Sequence, residues 1–477
     1  MGRQRRPITL TEVTITGIAD KGRAVGRDTE GRVVFVEKVV PGDVVDVRVT
    51  KKRKGYMMGF PIQFRSYSTD RVEPFCAHFG ACGGCKWQNL SYEVQIDQKE
   101  QIVKNALERI AKVEIGEFFP ILGAEETRYY RNKMEFAFSN KRWLTAEELN
   151  NDDVSNEQNV LGFHPQGAFD KIIDIEHCWL QGTPSNEIRN AIREIALEQK
   201  LEFFDVRAQK GFLRHMIVRT SSLGETLLLL SFYQEDEKKR KNFLDAVIKQ
   251  FPEITTVIYT INSKANDFLL DLDMHTYSGK GYIEEALGHV RFRVGPKSFF
   301  QTNTRQASVL YDVVVKFAGL DGTQNVYDLY TGVGSIALYI AQHSKHVTGV
   351  EEIEAAIEDA KLNAQLNGIE NTTFYAGDVK DILTNEFTEK HGKPDLVITD
   401  PPRAGMHPKV VEIFRELKAP KIVYVSCNPA TQARDLQLLN DLYTVEMVQP
   451  VDMFPHTHHI ENVALLKLRE VPLVIAE

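Results

Sequence analysis

The sequence predicts an α/β protein in three parts: a small N-terminal β-barrel, an α+β middle domain and a C-terminal doubly wound domain. Three observations carry this. Short strand-like stretches punctuated by glycine fill residues 1–66, a run of closely spaced cysteines follows, and beyond residue 290 strand, glycine turn, helix and strand succeed one another. A chain of 477 residues, at roughly 100 to 200 residues per domain, agrees with three. The boundaries are drawn as 1–66, 67–290 and 291–477.

Composition narrows the class. Hydrophobic residues make up 43% of the chain and charged residues 26%, the balance of a protein with packed cores. No apolar stretch approaches the ~20 residues that cross a bilayer, which argues against a membrane span. Arg3, Arg5 and Arg6 open the chain, but residues 8–20 alternate polar and apolar where a secretion leader would be continuously apolar. Five cysteines are too few, and odd in number, for a disulfide scaffold. The thiols are therefore expected reduced, in the cytoplasm, and available as ligands or nucleophiles.

The barrel comes first. Residues 9–16, 32–36, 43–50 and 56–64 read as strands, and with Gly22, Gly26, Gly31, Gly42 and Gly55 as punctuation the segment has room for the five short strands of an oligonucleotide-binding type of barrel. Its charge sets it apart. Residues 1–66 hold 14 Lys and Arg against 7 Asp and Glu, a surplus of +7, whereas the other 411 residues carry −15. Local positive charge on an acidic body suits a polyanion reached through one arm. Lys51, Lys52, Arg53 and Lys54, with Tyr56 behind them, are the candidate nucleic-acid contacts, although a solvated lysine turn reads the same way.

Next, Cys76, Cys82 and Cys85 fall within ten residues, and Cys178 stands far downstream before Trp179. The Cys82-x-x-Cys85 spacing lets two sulfurs reach one centre, Gly83 and Gly84 permit the tight turn, and a long excursion returns a fourth ligand. Zinc and an iron–sulfur cluster both accept such a set. Buried structural cysteines explain Cys178 but not three in ten residues, and a redox dithiol is disfavoured by Cys76 and by the lack of a helix start after Cys85.

Residues 92–113 read as an amphipathic helix with Val94, Ile102, Val103, Leu107 and Ile110 as its apolar positions, assigned to packing, with the C-terminal domain as one surface it could cover. Arg128, Tyr129, Tyr130, Arg131, Asn132 and Lys133 then lead into a strand, Met134 to Phe138. Basic and aromatic residues interleaved at a strand start can hold phosphates and stack bases, or guard an exposed edge. The acidic, Asn-rich residues 145–158 read as a surface loop.

The C-terminal domain opens with a strand over 325–330, a glycine turn at Thr331-Gly332-Val333-Gly334-Ser335, a helix over 336–343 and a second strand ending in Glu351. Glycines let the backbone approach a ligand, and an acidic residue about 20 positions on can take both ribose hydroxyls. Gly332-x-Gly334-x-x-Ala337 would also suit a dinucleotide. Two later features choose between them: Asp378 after a third strand, where an adenine amino group could bind, and Asp400-Pro401-Pro402-Arg403 after a fourth, where a methyl acceptor would enter. That succession points to S-adenosylmethionine. The fifth strand, 421–425, ends at Ser426-Cys427-Asn428-Pro429, and a thiol at a strand-to-turn junction beside a cofactor crevice is the best nucleophile candidate in the chain. His456, His458 and His459 have no convincing metal spacing, and Glu461 is the candidate base.

These motifs resemble the RNA uracil-C5 methyltransferases, particularly their iron–sulfur-containing, large-subunit (23S) ribosomal RNA branch, over nearly the whole chain. The resemblance implies a Rossmann-like class I methyltransferase domain, a TRAM domain at the N-terminus, and Cys76, Cys82, Cys85 and Cys178 as ligands of a 4Fe-4S cluster. It implies that Arg131, Asn132 and Lys133 lie in an RNA-binding strand. Phe299-Phe300-Gln301-Thr302-Asn303 matches a signature in which Gln301 contacts S-adenosylmethionine, with Tyr330, Gly332, Gly334, Ser335, Glu351, Asp378 and Asp400 at the other cofactor positions. Ser426-Cys427-Asn428-Pro429 matches the nucleophile motif, and Phe454-Pro455 with His459-Ile460-Glu461 the base motif. Thr331 departs from the pattern, where a cysteine is common.

The chemistry explains these residue types. Uracil C5 is too weak a nucleophile to take a methyl group directly, so Cys427 thiolate would add to C6, Glu461 would remove the C5 proton before elimination, and Asp400 would orient base or cofactor. A flipped or single-stranded uridine is expected. An amino-group methyltransferase would carry an aromatic residue at position 403 and need no cysteine; a cytosine-C5 enzyme would carry its cysteine there. A non-catalytic RNA-binding protein accounts for residues 1–180 but not for Gln301, Cys427 and Glu461. The expected partner is ribosomal RNA before or during assembly, with transfer RNA as the alternative, and the expected state is a monomer without membrane contact.

Overall fold

The computed structural model describes residues 8–145, 148–151 and 153–470; Arg3, Arg5 and Arg6, and part of the 145–158 loop, lie outside them. β1 (Thr9–Ala19), β2 (Arg23–Arg27), β3 (Val33–Val36), β4 (Val44–Arg53) and β5 (Tyr56–Ser66) close a barrel in the order β1-β2-β3-β5-β4. Alternation fills it: Val13, Ile15, Val34, Val36, Val45, Val47 and Met57 point inward and are buried, each contributing roughly 1.5–3 kcal/mol. One reading changes. Lys51, Lys52 and Arg53 belong to the end of β4, paired with Met58, Met57 and Tyr56 of β5, so the turn is only Lys54-Gly55; all four basic residues are exposed.

The middle region is a seven-stranded sheet built from β7 (Lys133–Ser139), β8 (Val160–Phe163), β9 (Ile173–Asp174), β10 (Leu213–Thr220), β11 (Thr226–Phe232), β12 (Thr256–Ile261) and β13 (His275–Gly279), in the order β13-β12-β11-β10-β7-β8-β9. Two helices, α2 (Ser185–Glu198) and α3 (Glu237–Gln250), cover one face, with Ile188, Ile192, Phe243 and Val247 packed among Phe136, Met216, Val218 and Leu228. On the other face Ile217, Leu227, Leu229 and Ile258 share a core with the C-terminal domain. The cut drawn at residue 290 falls at the first residue of β15 (Val290–Val294), which forms with β14 (Ile283–Leu287) a hairpin whose Ile283, Leu287, Val290 and Phe292 are buried in that same C-terminal core.

The C-terminal domain is an eight-stranded sheet made of β16 (Asn325–Leu329), β17 (His346–Glu351), β18 (Thr372–Ala376), β19 (Leu396–Thr399), β20 (Lys421–Ser426), β21 (Tyr443–Val451), β22 (Glu461–Leu468) and one strand from far upstream, β6 (Ile115–Phe118). The order is β18-β17-β16-β19-β20-β22-β21-β6, parallel except around β22. Helices α4 (Thr304–Ala318), α5 (Ser335–Ile340), α6 (Glu354–Leu366), α7 (Val379–Ile382), α8 (Asn385–His391), α9 (Pro408–Leu417) and α10 (Pro429–Leu439) alternate with the strands. The order reverses between β16 and β19, which opens a crevice at their carboxyl ends.

The helix at 92–113 is α1 (Tyr92–Ala106), extended by a wider turn over Leu107–Ala111 and stopped by Lys112 at φ 53. Its buried side includes Val103 and Leu107 of the expected apolar stripe, with Val94 and Ile102 packed at its edge, but extends to polar positions. Gln95 and Lys99 are fully buried beside Val103, Ala106 and Leu107, and Ile110 is exposed. No helix among the described residues is long and apolar enough to cross a membrane.

Candidate active site

The crevice gathers groups that sequence spreads over 160 residues. Tyr330 follows β16 at φ 63, and Gly332 and Gly334 follow at φ 56 and 78. A side chain at Gly332 would meet nothing within 4 Å, so the turn is open to a ligand there. Glu351, ending β17, accepts from Gly332 N–H (3.2 Å) and Ile353 N–H (3.0 Å), which fixes its carboxylate over the turn. Ser335 Oγ accepts from Tyr311 OH at 3.0 Å. Asp378 is engaged otherwise: it caps α7 through Lys380 N–H and pairs with the Lys380 ammonium, which holds it below the usual carboxylate range. Gln301 sits half-buried, its carbonyl held by Asn132 Nδ2 at 2.9 Å.

At the mouth lie Cys427, Asp400 and Glu461. Cys427 follows β20 directly before α10, whose cap Asn428 also donates to Arg403 O at 3.0 Å, as does Thr431 Oγ1 at 3.2 Å. These bonds tie the Asp-Pro-Pro-Arg turn to the cysteine turn. Glu461 opens β22, whose Asn462 pairs with Ser426; it is 6% exposed. Burial raises its carboxyl well above the usual range, and Asp400 raises it further while Arg403 opposes. Asp400 is pushed up to about 7 by burial and by Asp328. Burial, then Glu461 and Asp400, push the Cys427 thiol up to about 12, with Arg403 again opposing. The resting thiol is thus protonated, and Arg403 is the positive group that favours its thiolate. Cys427, Arg403, His458 and His459 line a cavity of about 430 Å³ together with Lys86 and, from the barrel, Lys21. Among the described residues the three histidines form no group placed to share a metal ion: His456 Nδ1 meets Gln95 Nε2 at 3.2 Å and His459 Nδ1 meets Arg403 at 2.8 Å, and burial depresses all three toward 3 or 4.

Cys76, Cys82, Cys85 and Cys178 line a second cavity, of about 510 Å³. Each sulfur is offered N–H donors: Cys76 by His78 and Phe79, Cys82 by Gly84, Cys85 by the Gln88 amide, Cys178 by Leu180 and Gln181. Among the described residues no three His, Cys, Asp or Glu side chains converge closely enough for a single metal ion. Four sulfurs around a cavity, each with N–H donors, are a donor set that an iron–sulfur cluster or a zinc ion could use. Burial raises the Cys82 and Cys85 thiols to about 11 and 12, the opposite of an activated redox dithiol.

The middle-domain candidates divide. Arg131 and Lys133 line the cysteine cavity. Asn132 does not face outward for RNA: its side chain donates to Gln301 O and Thr304 Oγ1 (2.8 Å) and its N–H to Thr302 O (2.9 Å), bracing the Gln301 segment. Sequence reading missed Asp328, 1% exposed beneath the glycine turn, and Lys21 at the Cys427 cavity. The strand alternation around Asp328 gives no signal of its role, and Lys21 depends on how the barrel docks.

Fold and crevice define the class, a doubly wound transferase with a nucleoside-cofactor cleft, a thiol at its mouth and a basic barrel beside it. Residues 279–469 match the family described as tRNA (Uracil-5-)-methyltransferase, and residues 8–59 match the TRAM domain. An RNA methyltransferase of Bacteroides thetaiotaomicron, named as uncharacterized, is 51% identical over 455 residues, 95% of this chain and 100% of that one. One from Porphyromonas gingivalis is 50% identical over 95% of this chain and 98% of its own. The solved tRNA (uracil-54, C5)-methyltransferase of Pyrococcus abyssi, in complex with S-adenosyl-L-homocysteine, is 28% identical with a TM-score of 0.74, covering 96% of this chain and 100% of that one. The chain belongs to the RNA uracil-C5 methyltransferase family. It carries out S-adenosylmethionine-dependent methylation of uracil C5 in RNA, with RNA engaged by the TRAM barrel and the methyltransferase domain.

Proposed function

We propose that the protein methylates one uridine of large-subunit ribosomal RNA, with Cys427 as nucleophile, Glu461 as general base and Asp400 as orienting carboxylate. The observation that carries the reading is the grouping of half-buried Cys427 and Asp400 with buried Glu461 at the carboxyl edge of the sheet. Cys427 Sγ, as thiolate, bonds to C6, and the C5=C6 electron pair moves onto the ring as an enolate. C5 would then take the methyl group from the sulfonium of S-adenosylmethionine, the S–CH3 bond breaking as S-adenosylhomocysteine leaves. Glu461 carboxylate removes the C5 proton, and the electrons left behind restore C5=C6 and expel Cys427 as thiolate. A carboxyl held above its usual range is a stronger base than an exposed one, which suits Glu461 to a carbon acid. Gln301, Tyr330, Gly332, Gly334, Ser335, Glu351 and Asp378 are assigned to the cofactor; Asp378 must exchange Lys380 for it.

Cys76, Cys82, Cys85 and Cys178 are assigned to a 4Fe-4S cluster, which would crosslink the segment after the barrel to the middle sheet. Zinc is the alternative. Lys51, Lys52, Arg53 and Lys54 are assigned to RNA phosphates from their exposure on the barrel, and Arg131 and Lys133 from the resemblance of their segment to the family's RNA-binding strand. The ribosomal target rests on the resemblance of the barrel and cysteine set to that branch. A transfer RNA target is the second reading, favoured by the name of the solved Pyrococcus abyssi relative. Cys427→Ala should abolish methyl transfer and leave cofactor affinity unchanged; normal turnover would refute covalent catalysis. Mapping 5-methyluridine in a strain lacking the protein chooses the RNA, and loss from transfer RNA alone would reject the ribosomal target.

A further inference from the structure

The segment that delivers Glu461, residues 452–460, has a few turn bonds of its own, among them Thr457 to Phe454 O, and is otherwise held from outside. Its first five carbonyls each accept from donors in four other parts of the chain. Asp452 O accepts from Gln306 Nε2 (2.9 Å), Met453 O from Asn303 Nδ2 (2.9 Å), Phe454 O from Lys99 Nζ (3.1 Å) and Pro455 O from Tyr130 OH (3.0 Å). His456 O accepts from the backbone N–H groups of Lys86 (2.9 Å) and Trp87 (3.1 Å), directly after Cys85. His456 itself is held at φ 63, unfavourable for a residue with a Cβ. Its N–H donates to Gln95 Oε1 at 2.9 Å, and Gln95 Nε2 is anchored on Trp87 O and Leu90 O at 2.8 Å each.

Lys99 is the centre of this arrangement. Its ammonium lies 2.6 Å from Asp452 Oδ1, with both side chains completely buried, and Tyr92 OH and Phe454 N–H complete the carboxylate's bonds at 2.8 and 3.0 Å. Desolvating both charges cancels most of what their attraction provides, so such a pair adds little net stability and is better explained by the geometry it fixes. Here that geometry is the start of the segment ending in the base.

We infer that Lys99 and Gln95 are positioning residues for Glu461: by holding residues 452–456 against α1, they aim the carboxylate at the C5 proton. The inference rests on the reading of Glu461 as the base. Misplacing a catalytic group by about 1 Å costs on the order of 10²-fold, and the loss should fall on proton removal, the last chemical step, while C6 attack and methyl transfer proceed.

The test uses full-length protein, RNA from a strain lacking it, and S-adenosylmethionine labelled in its methyl group. Glu461→Gln, Lys99→Met and Tyr130→Phe, the last removing the hydroxyl that bonds Pro455 O and meets Arg131, are each run on denaturing gels for label in a protein–RNA adduct and assayed for released product. Lys99→Met should accumulate adduct as Glu461→Gln does and release product on the order of 10²-fold more slowly. Tyr130→Phe, which keeps the fold, should show a smaller effect of the same kind. Slower release without adduct in both would mean a merely structural role and overturn the inference. If Glu461→Gln itself traps no adduct, the base assignment falls and the inference with it.

Discussion

Replacing Asp328 by asparagine measures how much electrostatic penalty lies beneath the cofactor turn. Asp328 is 1% exposed, and its Oδ2 accepts from Thr331 Oγ1 at 2.5 Å and Ala337 N–H at 3.1 Å. Burial outweighs those two bonds and raises the carboxyl from 3.8 to about 7. The sign follows from linkage: a group whose folded value is raised stabilises only while protonated, so its contribution is complete below pH 3.8 and is lost as pH climbs through 7. At about 1.4 kcal/mol per unit, the ionised form costs the fold roughly 4 kcal/mol by pH 8 and about 1.5 kcal/mol at pH 5. Asparagine keeps the shape and an acceptor oxygen but never ionises. The variant should therefore gain on the wild type by about 2.5 kcal/mol more at pH 8 than at pH 5, or about 5–10 °C in melting temperature for a unit of this size. Calorimetry on cofactor-free protein at the two pH values reads this directly. A gap between variant and wild type that does not change with pH would refute the reasoning.

Three further outcomes are expected. Because the Cys427 thiol is pushed up to about 12 and only its thiolate attacks, kcat/KM should rise about tenfold per pH unit between pH 6 and 9; a flat profile would contradict the protonated resting state. Gly22, at φ +70, leaves only 2.7 Å between an added Cβ and His458 Cβ, so Gly22→Val should push the barrel off the active-site loop at about 1–3 kcal/mol, seen as weaker RNA binding with cofactor affinity intact. Anaerobically purified protein should be brown and contain iron, and Cys85→Ser should lose both; colourless, fully active protein with stoichiometric zinc would exclude the iron assignment.

What could be read from sequence was whatever depends on neighbours along the chain. The glycine turn before Ser335, the thiol at the end of a strand, the Asp-Pro-Pro turn and the alternating barrel strands each follow from a local spacing. The polar face of α1 could not be seen that way. Amphipathic reasoning sends Gln95 and Lys99 to solvent, and only their partners in residues 452–456, some 350 positions away, make their burial tolerable. Asn132 misled for the same reason, since a polar residue between Arg131 and Lys133 looks like part of a basic surface until Gln301 and Thr304 occupy its amide. Lys51 to Arg53 looked like a turn because charge clusters there, yet an exposed barrel strand accommodates them equally well.

The strand β6 covers one edge of the catalytic sheet. Residues 115–118 pair in parallel with β21, Ile115 opposite Val445 and Phe118 opposite Val448, and Phe119 and Leu122 continue the bonding to Val448 and Pro450. Without them the nine residues of β21 would offer an open ladder, a ready template for a strand from another copy. A fragment starting at residue 279 would retain Cys427, Asp400 and Glu461 and still be prone to self-association. The N-terminal half thus protects the catalytic sheet from its own kind, a service separate from any it renders to RNA.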